Sequence, residues 1–251
     1  MVDLSDIVSF CDKRVRKTEI ADFPGADNGL QVANNGTITK IGASVDAGLI
    51  PFQKAIAAKV DFLIVHHGLF WTSPIPITQI NYQKIKTLIE GNLAVYSCHL
   101  PLDSHPEIGN NASIAKALNL KQLDWFLPYQ GTNIGLITEA PESREALVLK
   151  LKTLFPKGFT SIEYGSTTPK KIAICSGSGN SAVGELLKAG VDTLITGELR
   201  QNHFNIAQEQ RLNLYACGHY ATEVFGAQAL AEEISKQFNL PYEFIHTHCP
   251  L

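Results

Sequence analysis

A neutral imidazole carries one lone pair and one N–H, which makes histidine the commonest ligand for borderline divalent metals. Five of the eight histidines in this 251-residue chain follow short apolar runs that read as strands. His66 and His67 follow Phe62–Val65, His99 and His105 follow Leu93–Cys98, and His219 follows Leu212–Cys217. Three carboxylates occupy similar exits: Asp103, Glu198 and Glu223. In open parallel sheets ligands bind beyond the carboxyl ends of the strands, so this concentration points to a site. A helix starting at Gly218 would place His219 and Glu223 on one face. Together His66, His67, His219, Asp103 and Glu223 form a mixed nitrogen and oxygen set that suits Zn, Mn, Fe or Co better than Ca or Mg. Adjacent residues on an extended segment point to opposite sides, so His66 and His67 cannot easily reach one ion. Either one is packed away, or the two serve separate ions.

Plainer readings compete with each residue. A single loop histidine more often hydrogen-bonds or faces solvent than binds metal; only the convergence singles these out. Asp103 also reads as a turn or cap residue, and Glu223 as an exposed helical charge. His203, His246 and His248 read as structural. The turn Ser176-Gly-Ser-Gly-Asn180 could cradle a phosphate, but it lacks the P-loop lysine and serves equally as a tight strand-to-helix turn. Leu69-Phe70-Trp71 could wall a pocket for a flat ring, form a subunit contact or pack in the core. No G-x-S-x-G elbow is present, and Cys98 and Cys217 read as small core residues.

The elements that must position these groups occur twice. Residues 41–68 and 172–199 align without gaps at an offset of 131, with identities at Ile41, Gly48, Ala58, Val60, Asp61, Leu63 and Ile64. In each copy the pattern is strand, helix, strand, helix, strand. The first has strands Ile41–Val45, Phe62–Val65 and Leu93–Cys98 with helices Leu49–Ala58 and Tyr82–Glu90. The second has strands Lys171–Cys175, Thr193–Thr196 and Leu212–Cys217 with helices Val183–Ala189 and Phe204–Gln210. A strand (Asn133–Ile137) and a helix (Ser143–Leu154) lie between the copies, and a helix (Phe225–Gln237) and a strand (Tyr242–His246) follow them. The expected fold is α/β: two similar lobes from an internal duplication, with mostly parallel sheets covered by helices. The expected division is 1–127 and 128–251, and the lobes can interleave.

Composition narrows the class further. Hydrophobic residues make up 45% and charged residues 18%, which is globular rather than disordered. Lysine plus arginine number 21 against 24 acidic residues, without a basic block, which disfavours binding nucleic acid by general phosphate attraction. Five scattered cysteines lack a C-x-x-C pair and suit a reducing compartment. Asp3 and Asp6 stand where a signal peptide wants basic residues, and Leu4, Ile7, Val8, Cys11 and Val15 mark a helix face. No apolar run approaches the roughly 20 residues of a membrane span. A cytoplasmic protein without a membrane partner is expected.

Six segments in order carry a resemblance: Asp27-Asn-Gly-Leu-Gln-Val32, His66-His-Gly68, His99-Leu-Pro-Leu-Asp103, Gly109-Asn-Asn111, Thr196-Gly-Glu198 and Gly218-His-Tyr-Ala-Thr-Glu223. The combination resembles the bacterial YbgI-like family, type 2 homologues of GTP cyclohydrolase I. The resemblance implies two intertwined α/β lobes, a dinuclear metal site in the cleft between them and a toroidal homohexamer. It implies His66, His67, Asp103, His219 and Glu223 as ligands of two divalent ions (Zn, Fe, Mn or Co), with Glu223 bridging. The expected activity is metal-dependent hydrolysis of a nucleotide or related heterocycle by metal-bound hydroxide, with His99 or Glu198 moving protons. Two alternatives stand beside it: a non-catalytic metal carrier or protein-interaction scaffold, and a ring-shaped DNA-acting protein.

Overall fold

The apolar runs become strands where helices cover them on both faces. A computed structural model describes residues 1–71 and 75–251. Contacts divide the chain into two units, Met1–Leu102 with Gly226–His248 and Asp103–Phe225 with Cys249–Leu251. The sequence suggests a division near residue 127 instead. Two pairings account for the difference. Residues 122–139 form a hairpin that joins the second sheet, and residues 242–244 pair back onto Ile41–Ala43.

The first unit contains β1 (Val2–Asp3), α1 (Leu4–Arg14), β2 (Gly29–Val32), β3 (Thr37–Ile38), β4 (Ile41–Asp46), α2 (Leu49–Ala57), β5 (Phe62–His67), α3 (Gln79–Glu90) and β6 (Ala94–Ser97), and a short α4 (Leu100–Asp103) leads out of it. The second contains α5 (Asn110–Ala117), β7 (Gln122–Tyr129), β8 (Thr132–Glu139), α6 (Arg144–Leu154), β9 (Thr160–Glu163), β10 (Lys171–Ser178), α7 (Asn180–Glu185), β11 (Thr193–Glu198), α8 (Asn202–Gln210) and β12 (Asn213–Ala216). Helix α9 (His219–Phe238) begins in the second unit and ends in the first, where β13 (Tyr242–Phe244) follows.

The first sheet has the order β13-β4-β5-β6-β2, parallel except for β2. Leu63, Val65, Val95 and Ile245 pack with Phe52 and Ala55 of α2 and Leu88 of α3. On the opposite face Tyr96 donates its hydroxyl to Asp12 of α1. The second sheet has the order β7-β8-β10-β11-β12-β9. Its centre, β10-β11-β12, is parallel, and antiparallel strands flank it on both sides, so this sheet is mixed. Ala173, Cys175, Leu194 and Leu214 pack against Val183 and Ala207. Ile172, Ile174, Ile195 and Tyr215 pack against Ile114, Leu147 and Leu151. Burial on both faces explains why these strands read as continuous apolar runs rather than alternating ones.

The duplication extends to register. Gly42 pairs Leu63 and Ala43 pairs Ile64 in the first sheet; Ala173 pairs Leu194 and Ile174 pairs Ile195 in the second, the same partners moved by 131. Two helix boundaries differ from the sequence expectation. The helix expected at Val183–Ala189 lies at Asn180–Glu185, and Gly190, at φ +68, closes the following turn with Val191 N–H donating to the Leu186 carbonyl. The helix expected from Phe225 already begins at His219, so both candidate ligands on it are helical.

Candidate functional site

In the first unit, β5 ends on the histidine pair. Alternation places His66 on the face of Phe62 and Ile64, and His67 on the face of Leu63 and Val65. The two rings nevertheless stand only 4.9 Å apart, and the His99 ring lies 4.9 Å from His66 and 5.7 Å from His67. One nitrogen from each of the three lies within 4.8 Å of the others, a spacing that could hold a metal ion. The spacing would let the rings share an ion, whereas strand alternation alone sets His66 and His67 on opposite sides. The last pair of the β5–β6 ladder is Val65 with Ser97, so both imidazoles lie past it.

Each ring is held through Nδ1. That atom of His66 lies 3.0 Å from the Cys98 carbonyl, that of His67 lies 2.8 Å from Asp46 Oδ1, and that of His99 lies 2.8 Å from Asp22 Oδ1. Asp22 also accepts from Asn28 Nδ2 and the Leu100 amide, and Asn28 Oδ1 accepts from the His99 amide. Burial works to raise the Asp22 carboxyl, but the hydrogen bond and charge of His99, with Asn28 and the Phe23 amide, outweigh it and hold the group below its ordinary range. Trp71 stands perpendicular to His99 at 4.5 Å and to His67 at 5.5 Å, walling the cluster. Gly68 fits because a Cβ there would strike the Gln31 amide and Ser97 Oγ. Gln31 in turn accepts from the Leu69 amide.

In the second unit, His219 Nε2 lies 3.1 Å from Glu223 Oε1, and its Nδ1 lies 3.4 Å from Glu198 Oε1. Glu223 is only 3% exposed. The Glu223 hydrogen bond, opposed by burial and aided by the charges of Glu223 and Glu198, pushes His219 up to about 9. Asp103 is buried, and its Oδ1 accepts from Asn110 Nδ2 at 2.8 Å and Ser176 Oγ at 3.1 Å. Asn111 accepts from the Ser176 amide and donates to the Ile134 carbonyl, so the two asparagines brace the loop that carries Asp103. The Cys175 thiol is pushed up to about 12 by burial first and then by the charges of Asp103 and Glu223.

Packing accounts for the glycine turn. Gly177 sits at φ +63, and a Cβ on it would collide with the Glu223 carboxylate and come within 3.1 Å of His219 Nε2. Gly197 likewise lets the start of α9 approach β11, since a Cβ there would lie 2.7 Å from His219 Cα.

The structure therefore gathers His66, His67 and His99 in the first unit. In the second it gathers His219, Glu198 and Glu223, with Asp103 braced separately. His105 turns its Nδ1 to the amides of Glu107 and Ile108, and His203 accepts from the Arg200 amide. Sequence reasoning missed Asp22 and Asp46. Asp46 could have been found, because it stands at the exit of β4; nothing local marks Asp22.

These clusters fit divalent metal. Imidazole nitrogens this close together, with each Nδ1 hydrogen-bonded to a carbonyl or carboxylate, are what metal-ligating histidines usually show. A buried carboxylate facing a histidine adds an oxygen donor.

The family model described as Duf34/NIF3 (NGG1p interacting factor 3) matches residues 2–250. A Deinococcus radiodurans protein named GTP cyclohydrolase 1 type 2 homolog is 40% identical over 223 residues, 87% of this chain and 84% of that protein. The crystal structure of TTHA1606 from Thermus thermophilus matches with TM-score 0.89 and 36% identity over 100% of both chains. A structure titled protein ybgI, unknown function, matches with TM-score 0.91 and 31% identity over the same full coverage. Among the described residues no helix is long and apolar enough to cross a membrane.

Proposed function

Because the chain belongs to the DUF34/NIF3 family, we propose that it is a divalent-metal-dependent hydrolase of a nucleotide or related heterocycle. The observation that carries the reading is the convergence of His66, His67 and His99, each oriented through Nδ1. The names of the relatives supply the substrate class.

In this reading His66, His67, Asp103, His219 and Glu223 are the residues that would hold two divalent ions. Bound divalent ions supply Lewis acidity and lower the pKa of water toward neutrality. The chain does the rest. Cys98, Asp46 and Glu198 orient the imidazoles of His66, His67 and His219. Asn110 and Ser176 fix the Asp103 carboxylate. His99, steered by Asp22, moves a proton at Nε2, and Glu198, half exposed beside His219, relays protons to solvent. Trp71 excludes water from one side of the imidazoles and offers a flat wall to a heterocycle. By the same resemblance the chain assembles as a homohexameric ring in the cytoplasm.

The test begins with elemental analysis of chain purified without chelator or metal-affinity tag, beside His66→Ala and His219→Ala. About two transition-metal ions per chain, reduced in both variants, are expected. A nucleotide panel including GTP then measures turnover, which Glu223→Gln abolishes while the chain stays folded. A folded chain that refuses Zn, Mn and Fe removes the reading. The family description names an interacting factor, which favours a second reading as a non-catalytic metal-binding assembly. A metal-loaded chain inert across the panel selects that one.

A further inference from the structure

We propose that Asp46 and Asp22 are positioning residues that fix the tautomers of His67 and His99 and so aim both Nε2 lone pairs into the imidazole cluster. The inference rests on the metal-binding part of the preceding reading and is independent of any turnover.

A carboxylate and a peptide carbonyl can only accept hydrogen bonds, so a neutral imidazole facing one through Nδ1 carries its hydrogen there. The lone pair is then on Nε2. The three rings reach this state by different means: the Cys98 backbone for His66, Asp46 for His67 and Asp22 for His99. The arrangement is built into the sheet. Asp46 and His67 are register partners on neighbouring parallel strands, so their side chains leave on the same face at the same level.

Stability does not account for Asp46. Its side chain is 48% exposed and that of His67 25%, and a polar contact so open to solvent contributes little to folding. Their worth lies in direction. Asp22 differs, because its oxygens also accept from the Phe23 and Leu100 amides, so it shapes the loop as well as the ring. The pair at Asp46 therefore gives the cleaner test.

Two readouts apply, neither of them activity. In the metal-free chain, long-range ¹H–¹⁵N spectra report which ring nitrogen carries hydrogen. Asp46→Ala is expected to convert His67 from a single Nδ1–H tautomer into a mixture. In chelator competition with Zn²⁺, the same variant is expected to bind about 10–100-fold more weakly, the usual effect of losing such a partner. Asp46→Glu restores both signals, and the denaturation midpoint stays within error of the parent for both variants. Asp22→Asn shifts the His99 signals in the same sense. An unmoved His67 tautomer in Asp46→Ala, or unchanged Zn²⁺ affinity, overturns the proposal. A chain that hydrolyses no nucleotide yet shows both shifts keeps it and removes only the hydrolase reading.

Discussion

His219 Nε2 and Glu223 Oε1 face each other across 3.1 Å, one helical turn apart at the start of α9. In the metal-free chain this pair holds a proton more tightly than the unfolded chain does, since His219 is raised to about 9. The stabilisation is complete below the ordinary histidine value of about 6.5 and is lost as pH rises through about 9. A metal ion on Nε2 must displace that proton. Metal affinity is therefore expected to climb across the same interval. Calorimetry at pH 7 in buffers of different ionisation enthalpy should show proton release on Zn²⁺ binding that Glu223→Gln reduces. Equal release in parent and variant would refute the coupling.

Gly177→Ala should be costly twice over. The left-handed backbone at φ +63 costs about 1–2 kcal/mol with a Cβ. The new methyl would also push the Glu223 carboxylate aside. Urea unfolding should register the first effect and Zn²⁺ titration the second. Gly184→Ala, inside α7 with nothing within 4 Å of the added Cβ, is the control expected to leave the Zn²⁺ titration unchanged and to raise stability by about 0.5–1 kcal/mol.

Asn110→Ala removes a buried donor from Asp103 Oδ1. About 1–3 kcal/mol of stability should go with it. Metal content should fall as well, because the carboxylate loses the 2.8 Å hydrogen bond that helps to orient it. Retention of full metal content would mean that Asp103 is held from elsewhere.

Strand exits made His66, His67, His99, His219 and Glu223 legible, because an open parallel sheet gathers whatever follows its strands and continuous apolar runs mark those strands. What stayed hidden depends on distant pairings. Asp22 meets His99 across 77 residues of sequence, and no local pattern foretells that contact. Asp46 stands at a strand exit, but its partner is set by the β4–β5 register. The strand at Tyr242–Phe244 was legible, but its return to the edge of β4 was equally silent, since nothing local names a partner about 200 residues earlier. The helix expected at Val183–Ala189 ends at Glu185, and a turn closed by Gly190 at φ +68 takes the rest, although the apolar spacing alone read as helical.

The thiols should be quiet in the folded chain. Burial pushes Cys217 up to about 12, and burial with nearby carboxylates does the same for Cys175. Burial and the Asp12 charge also push Cys11 upward, and Cys98 lies in the core. Only Cys249 is partly exposed. Of the five, one is expected to react rapidly with a disulfide reagent under native conditions and all five in denaturant. Fast native labelling at Cys175 would show that the loop around Asp103 opens.

The return of β13 to the edge of β4 reverses the usual order in which a nascent polypeptide matures. Every strand of the second sheet lies between Gln122 and Ala216, so that sheet can form once this stretch has left the ribosome. The first sheet, although most of it is translated earlier, waits for Tyr242–Phe244. Until then Ile41–Ala43 presents an open backbone edge, the kind of edge that invites pairing with other chains. The first sheet is thus the later of the two to close, although it begins earlier in the chain.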